Sequence, residues 1–268
     1  MRKFFTLLFF SVLFLVSCQP AVKEDTETTT AKTTAEEAKK YVLKPFETST
    51  QYLDAAIEDM TYKNGKVKVA YKSKDYVLGN QTPDAPQKMC ANAAKGQHIH
   101  FIVNNAPYDA YYTNEFDTEL PDGEHIILAF LSRSYHESLK NERSYMAVKA
   151  TVEKKSFVAA EQVTEPMLFY SRPKGKYIGK AETEKVMLDF FVTNLELGDD
   201  YRVKVEINGE EEHLVDAWQP YYIEGLPMGD NKIKLTLIDK SGNPIETPLN
   251  PVERVFTLEA DPAETAVQ

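Results

Sequence analysis

The sequence contains only two cysteines, Cys18 and Cys90, among 268 residues. Two cysteines cannot form a disulfide framework, nor a zinc site built from four thiolates. The sequence also lacks the Gly-x-Ser-x-Gly nucleophile turn, phosphate-binding glycine loops, His-Glu-x-x-His and Cys-x-x-Cys. These absences disfavour the hydrolases, nucleotide-binding enzymes and redox proteins that use such motifs, and we predict that the protein is not an enzyme.

Positive charge is scarce as well. The chain has 31 Lys and Arg against 41 Asp and Glu, which gives a net charge of −10 at pH 7. An acidic surface repels phosphate backbones, so we predict no nucleic-acid partner. Glycine and proline are too few for a collagen-like or low-complexity chain, whereas a hydrophobic share of 43% is enough for packed cores. The composition therefore predicts an acidic, folded protein of about two domains.

The longest apolar run extends from Phe4 to Val16 and follows a basic N-terminal tip. A helix of this length spans about 20 Å, which is too short for a bilayer core of about 30 Å. Such a run predicts a secretory signal peptide, assigned to residues 1–17. It ends in Leu-Val-Ser-Cys, which is similar to the bacterial lipobox, so we expect lipidation of Cys18. We therefore predict a protein of the cell envelope that is anchored by lipid to a membrane, the outer membrane on its periplasmic or surface face.

The segment after the lipobox is rich in Thr, Ala, Glu and Lys. Such a composition buries too little apolar surface to offset the entropy of ordering the chain. We predict that residues 18–50 carry the lipid and form a flexible tether, and that residues 261–268 form a flexible tail.

Beyond the tether, apolar residues alternate with polar ones. Ile99, Phe101 and Val103 show this spacing, as do Val203 and Val205 in the second half of the chain. Alternation of this kind, with Asn-Gly and Pro-Asp-Gly turns between the segments, is typical of strands that bury one face. The sequence therefore predicts an all-β protein.

Two halves of the body resemble each other. Leu-Pro-x-Gly occurs at 120–123 and again at 226–229, and Gly96 and Gly198 precede alternating segments at a similar offset. About seven short strands in 100 residues are typical of an immunoglobulin-like β-sandwich, with a pair of small barrels as the alternative. We predict two tandem immunoglobulin-like β-sandwich domains. Their ranges are residues 51–156 and 157–260.

Histidines are concentrated in the first predicted domain, at His98, His100, His125 and His136. The first two are two residues apart on a predicted strand, so their side chains share one face about 7 Å apart. Imidazoles in this arrangement can bind Zn²⁺ or Cu²⁺ or donate to an anion. The metal hypothesis takes His98, His100 and His125 as ligands, with His136 or Cys90 completing the shell.

The second half of the chain does not repeat these histidines. By the alignment of the two glycines, Asp200 and Arg202 stand opposite the first two histidines, and Asn231 stands opposite His125. The sequence therefore predicts a function that is specific to the first domain.

A second candidate site is the segment from Arg133 to Lys140, which follows an apolar strand and is predicted to be a loop. Arg133, His136 and Lys140 could together bind a phosphate or a carboxylate, with serine hydroxyls donating.

Four motifs of the first half carry a resemblance to a known family. They are Gly96-Gln97-His98-x-His100, Asn104-Asn105-x-x-Tyr108, Gly123-x-His125 and His136-Glu137-Ser138-x-Lys140-Asn141. This pattern resembles a family of exported bacterial lipoproteins, many from Bacteroidetes, some of which carry the name phosphopeptide-binding protein. The resemblance covers residues 96–153 well and the second half only in outline. It implies a lipoprotein with β-sandwich domains and a binding site that includes the histidines, and it implies no catalytic residues.

Together these observations favour a membrane-anchored, non-catalytic binding or interaction module. Its expected ligand is a protein, a peptide or an anion, and no cofactor is expected. The first alternative is a zinc- or copper-binding envelope protein, and the second is anion or phosphopeptide binding by the 133–140 loop. An enzyme that uses the same histidines as general acid and base ranks last, because no nucleophile accompanies them.

Overall fold

The computed structural model describes residues 40–47, 49–88 and 91–265. The predicted signal peptide, the lipidation site Cys18 and most of the tether lie outside the described residues, as does Cys90. No helix in the described part of the chain has the length and apolar character needed to cross a membrane.

Strands dominate the described residues, as predicted. They are β1 (Val42–Pro45), β2 (Ala56–Lys63), β3 (Lys66–Lys72), β4 (His98–Val103), β5 (Asp109–Tyr111), β6 (Glu115–Asp117), β7 (Gly123–Ser132), β8 (Tyr145–Glu153), β9 (Ser156–Gln162), β10 (Met167–Arg172), β11 (Gly175–Ile178), β12 (Lys185–Thr193), β13 (Tyr201–Ile207), β14 (Glu211–Val215), β15 (Tyr221–Glu224), β16 (Gly229–Asp239) and β17 (Val252–Glu259). Two one-turn helices, α1 (Lys180–Thr183) and α2 (Pro262–Thr265), and a 3₁₀ turn at Ala85–Gln87 complete the elements.

The strands form four sheets, which pair into two sandwiches. The first sandwich joins the sheet β5-β4-β7-β8-β9 to the sheet β2-β3-β6, and the second joins β14-β13-β16-β17-β11 to β1-β15-β12-β10. The order β5-β4-β7-β8 in the first is repeated as β14-β13-β16-β17 in the second, and β2-β3-β6 is repeated as β10-β12-β15. The predicted tandem of immunoglobulin-like β-sandwiches is therefore confirmed.

Each sandwich has its own core, built from the alternating positions that the sequence shows. In the first, Ile99 and Phe101 of β4 pack with Val67 and Val69 of β3. In the second, Val203 and its alternate neighbours on β13 pack against β12 and β16. Burying one such side chain contributes about 1.5–3 kcal/mol, so the alternation fixes which face of each strand points inward.

A third apolar cluster joins the two sandwiches. The outer face of the five-stranded sheet of the first sandwich packs against the four-stranded sheet of the second, and Phe130 lies with its ring centroid 4.4 Å from that of Phe191. Strand β4 is therefore buried on both faces. Its histidine face looks toward the second sandwich rather than toward solvent. The cluster comprises Ile102, Tyr108, Leu128, Phe130, Ala147, Val163, Met167, Phe169 and Phe191.

Strand register aligns the two repeats. Val103 lies opposite Ile127 in the first sandwich, and Ile207 lies opposite Ile233 in the second. Strands β4 and β13 are therefore related by an offset of 104 residues, whereas β7 and β16 are related by 106.

At that offset, Arg202 and Lys204 occupy the positions of the two histidines of β4. The alignment by glycines, which placed Asp200 and Arg202 there, is wrong by two residues. The cause is that Ile207 lies nine positions after Gly198, whereas the equivalent Val103 lies seven positions after Gly96.

Strands β1 and β9 lie outside the ranges predicted for the sandwiches to which they belong. Strand β1 falls within the predicted tether, yet it pairs with β15 of the second sandwich, and the preceding Tyr41 is fully buried in that core. The tether prediction is wrong for these residues, because the strand that orders them lies about 180 positions further along the chain. Strand β9 pairs with β8, so the first sandwich continues beyond the predicted boundary at residue 156.

Candidate functional site

His98 and His100 lie on β4, on the face that packs toward the second sandwich. Both are fully buried. Their Nε2 atoms are 2.8 Å apart, because alternate residues of a strand point to the same side. The prediction that they share one face opposite Ile99 and Phe101 is confirmed.

His136 joins them from the turn that follows β7. Its Nδ1 lies 3.0 Å from Nε2 of His98 and 3.4 Å from Nε2 of His100. Three ring nitrogens therefore converge within 3.4 Å of one another. Among the described residues, these three histidines form the one group of potential ligands with such spacing.

Residues outside the turn at 133–138 hydrogen-bond to almost every one of its residues except His136. Ser134 exchanges hydrogen bonds with Thr82, and the Tyr135 hydroxyl donates to a carboxylate oxygen of Asp84. The backbone N–H of His136 donates to the carbonyl of Arg133 at 2.9 Å, which closes the turn. His136 itself has φ +68°, a left-handed conformation that is uncommon for residues other than glycine. The surrounding contacts thus fix the backbone and leave the imidazole to the cluster.

The protonation states of the three rings conflict in the metal-free cluster. Nδ1 of His98 is 2.8 Å from the carbonyl of Gly96 and must donate to it, so Nε2 of the neutral ring carries only a lone pair. One lone pair accepts one strong hydrogen bond, although two ring nitrogens lie within 3.0 Å of it. The hydroxyl of Tyr108 lies 3.3 Å from Nδ1 of His136 and can donate to it. In that case Nδ1 of His136 carries no proton and is the second nitrogen of the cluster with only a lone pair. At least one nitrogen–nitrogen contact is then left without a proton between its atoms.

Adding protons does not resolve this conflict near neutral pH. Burial lowers the pKa of His98 from 6.5 to about 4. Burial also holds the pKa of His100 and of His136 well below the ordinary range. All three rings are therefore neutral at pH 7, which is the form that binds metal ions.

Nε2 of His98, Nε2 of His100 and Nδ1 of His136 are the atoms that would hold a metal ion here, and imidazole nitrogens are ligands that zinc and copper accept. The Nδ1 of His98 donates to a carbonyl, as the second nitrogen of a metal-binding histidine commonly does.

Tyr108 forms one wall of the cluster. Its ring stacks on that of His100 with centroids 3.5 Å apart and planes 10° apart. Lys174 of the second sandwich places its Nζ 3.8 Å from the Tyr108 ring centroid and also donates to the Tyr108 carbonyl oxygen. Tyr108 thus contacts both His100 and a group from the other sandwich.

His125, predicted as the third ligand, is not part of the cluster. It lies seven residues along β7 from Ser132, the residue opposite His98, which is about 23 Å at 3.3 Å per residue. Its Nε2 donates to the carbonyl of Pro121 at 2.9 Å, and its Nδ1 accepts from the amide of Asn104 at 3.1 Å. The prediction of His98, His100 and His125 is therefore wrong in its third member, whose place His136 takes.

The predicted anion site at Arg133, His136 and Lys140 is also wrong. Arg133 is buried, donates to the carbonyl of Thr50 with two nitrogens and faces Glu137 at 3.3 Å. Nζ of Lys140 lies 2.6 Å from a carboxylate oxygen of Asp189. Each cation is therefore neutralised by its own carboxylate within the protein. Arg133 is paired with Glu137, and Lys140 is paired with Asp189.

The sequence indicates Tyr108 only as part of the family motif, and it does not indicate Asp189. Tyr108 follows Asn104-Asn105 in the part of the chain that carries the family resemblance, so a signal was present there. Asp189 lies in an apolar strand of the second sandwich, where a single carboxylate among buried residues was the available signal.

Comparisons with known proteins show little beyond low similarity. The chain matches no family model and no curated protein. Among solved structures it is similar to the fibronectin(III)-like modules of Clostridium thermocellum CbhA, with 10% identity, TM-score 0.28 and coverage of 82% of this chain and 95% of that chain. It is similar to the chicken interferon gamma receptor alpha chain, with 7% identity, TM-score 0.22 and coverage of 74% and 96%. It is also similar to Bacteroides ovatus SGBP-B of a mixed-linkage glucan utilization locus, solved with a mixed-linkage heptasaccharide, with 10% identity, TM-score 0.20 and coverage of 82% and 70%. Such similarities imply nothing about ligand or activity.

Proposed function

We propose that this protein binds one transition-metal ion, zinc or copper, through His98, His100 and His136. The observation that carries the proposal is the convergence of three ring nitrogens at 2.8, 3.0 and 3.4 Å. Three neutral imidazoles suit both metals.

The cluster is difficult to explain as ordinary core packing. A buried polar group usually costs free energy unless it is hydrogen-bonded, and close nitrogen lone pairs repel. Nδ1 of His100 has no hydrogen-bond partner among the described residues. A metal ion would accept a lone pair from each of the three converging nitrogens and so remove the conflict among them.

The proposed role is binding rather than catalysis. Together with the lipobox at Cys18, it gives an envelope lipoprotein that holds a metal site in a soluble body on a tether. The three ligands come from the first sandwich, and the second repeat has Arg202 and Lys204 at the positions of His98 and His100, so one site per chain is expected.

The test is the metal content of the protein, purified without chelators or a histidine tag and measured by mass spectrometry. We expect about one zinc or copper ion per chain, either as purified or after dialysis against each metal. The double variant His98→Gln with His100→Gln should lose the ion. The matched control is His125→Asn, which changes a histidine outside the cluster and should retain it. The proposal fails if the unmodified protein takes up no metal, or if the double variant binds as much as the control.

A further inference from the structure

We infer that Asp189 of the second sandwich is a positioning residue for the metal site, so that metal binding by the first sandwich depends on its contact with the second. This inference rests on the proposed function. It assigns a role to the second repeat, which supplies none of the three ligands.

Asp189 is fully buried on β12 and reaches the turn of His136. One carboxylate oxygen accepts the backbone N–H of Ser138 at 3.1 Å, and the other accepts the Ser138 hydroxyl at 3.0 Å. The second oxygen also accepts Nζ of Lys140 at 2.6 Å. Hydrogen bonds to an ionised carboxylate are shorter and stronger than those between neutral groups, so this contact fixes Ser138 firmly.

Ser138 is two residues from His136, whose backbone has a positive φ. A residue other than glycine keeps such a conformation only where its surroundings hold it. Arg133 and Ser134 anchor the first half of the turn within the first sandwich. Asp189 anchors the second half, and it does so from across the contact between the sandwiches.

A second contact from the same direction supports this role. Tyr108 lies between His100, on which its ring stacks, and the ammonium group of Lys174. Lys174 belongs to the second sandwich, in the turn between β10 and β11. The second sandwich thus contacts the supports of both His100 and His136.

The consequence is thermodynamic linkage between metal binding and the contact of the sandwiches. Groups that orient metal ligands typically contribute about 10–100-fold to metal affinity. Loosening the Asp189 contact should therefore weaken metal binding although every ligand remains in the chain. Conversely, bound metal should stabilise the contact.

The experiment compares Ser138→Ala and Asp189→Asn with the unmodified full chain. Ser138→Ala removes one hydroxyl from the contact and leaves no buried charge without a partner, so it decides the question if Asp189→Asn fails to fold. The matched control is Thr236→Val, which removes a buried hydroxyl of the second sandwich that has no hydrogen-bond partner among the described residues. Zinc affinity is measured by competition with a chromophoric chelator. The nitrogen ligands of the Cu²⁺ form are counted by electron paramagnetic resonance.

We expect Ser138→Ala to bind zinc about 10-fold or more weakly, with fewer nitrogens on Cu²⁺, while Thr236→Val matches the unmodified protein. Unchanged affinity in a folded Ser138→Ala protein would overturn the inference and leave the proposed function intact. An equal loss in Thr236→Val would also overturn it, since general destabilisation would then explain the effect. Absence of metal binding by the unmodified chain would instead refute the proposed function.

Discussion

The side-chain amide of Asn104 lies 3.1 Å from Nδ1 of His125, and this pair fixes the turn that opens β7. Nε2 of His125 donates to the carbonyl of Pro121, four residues earlier. The second sandwich contains the same arrangement without a histidine. There Asn208 donates to Asn231, and Asn231 donates to the carbonyl four residues before it. His125 therefore makes the same two kinds of hydrogen bond in the first sandwich that Asn231 makes in the second.

The first prediction follows from this equivalence. The His125→Asn variant should retain metal stoichiometry and change the free energy of unfolding by less than about 1 kcal/mol, because asparagine can make both hydrogen bonds. The His125→Ala variant leaves the side-chain amide nitrogen of Asn104 without its acceptor and should lose about 1 kcal/mol or somewhat more. Urea denaturation of the two variants measures this difference. Loss of metal from His125→Asn would contradict the structural role.

Much of the architecture could be predicted from the sequence because it depends on local pattern. Alternation around Ile99 and Val203 indicates which strand faces are buried, and Leu-Pro-x-Gly at 120–123 and 226–229 marks equivalent turns. Strand β1 at Val42–Pro45 could not be predicted this way. It is short, and β15, on which it pairs, follows some 180 residues later.

The second prediction concerns pH in the metal-free protein. The pKa of His98 falls from 6.5 to about 4 in the folded state, and burial is the main cause. Between these values the unfolded chain binds a proton that the folded chain does not, so the free energy of unfolding falls as the pH falls from about 6.5 to 4. A shift of this size corresponds to a loss of about 3 kcal/mol from His98 alone. His100 and His136 act in the same direction.

Urea denaturation at pH values between 7 and 4 measures this effect. Carboxylates also titrate toward the acid end, so the quantity of interest is the difference from the double variant His98→Gln with His100→Gln. That variant should show the weaker dependence on pH. If the free energy of unfolding depended equally on pH in both proteins, the two rings would bind protons as readily in the folded state as in the unfolded state, contrary to their burial.

The candidate site was only partly predictable. The spacing of His98 and His100 places both on one face, and the structure bears this out. The choice of a third ligand could not be made by spacing, because β7 carries His125 at one end and leads into the turn of His136 at the other. Strand pairing puts Ser132 opposite His98, and this decides which end of β7 meets the histidine pair.

The third prediction concerns the buried ion pair of Arg133 and Glu137. The Arg133→Met variant leaves the buried Glu137 carboxylate without its cation and should lose about 3–5 kcal/mol of stability. The Lys155→Met variant is the control, since Lys155 pairs with Glu119 at a site where both side chains are more than half exposed. That change should cost less than about 1 kcal/mol. Comparable losses in the two variants would contradict a structural role for Arg133.

The last prediction concerns the apolar contact between the sandwiches. Phe191 of the second sandwich packs against Phe130 and Tyr145 of the first, and Trp218 lies at 5.2 Å from its ring. The Phe191→Ala variant should lose about 3–5 kcal/mol, as for other buried phenylalanines. Because Trp218 is the sole tryptophan of the chain, its fluorescence reports on this contact, whereas far-ultraviolet circular dichroism reports on both sandwiches.

In the unmodified protein the two signals should change together during urea denaturation, because the cluster around Phe191 packs between the two sandwich cores. In Phe191→Ala the contact is weakened while each core keeps its own residues, so the fluorescence transition should precede the dichroism transition. The same variant should bind zinc more weakly, since Asp189 lies two residues away on the same strand and shares the contact. Coincident transitions in the variant, with unchanged zinc affinity, would show that neither the joint unfolding of the sandwiches nor the metal site depends on the Phe191 contact.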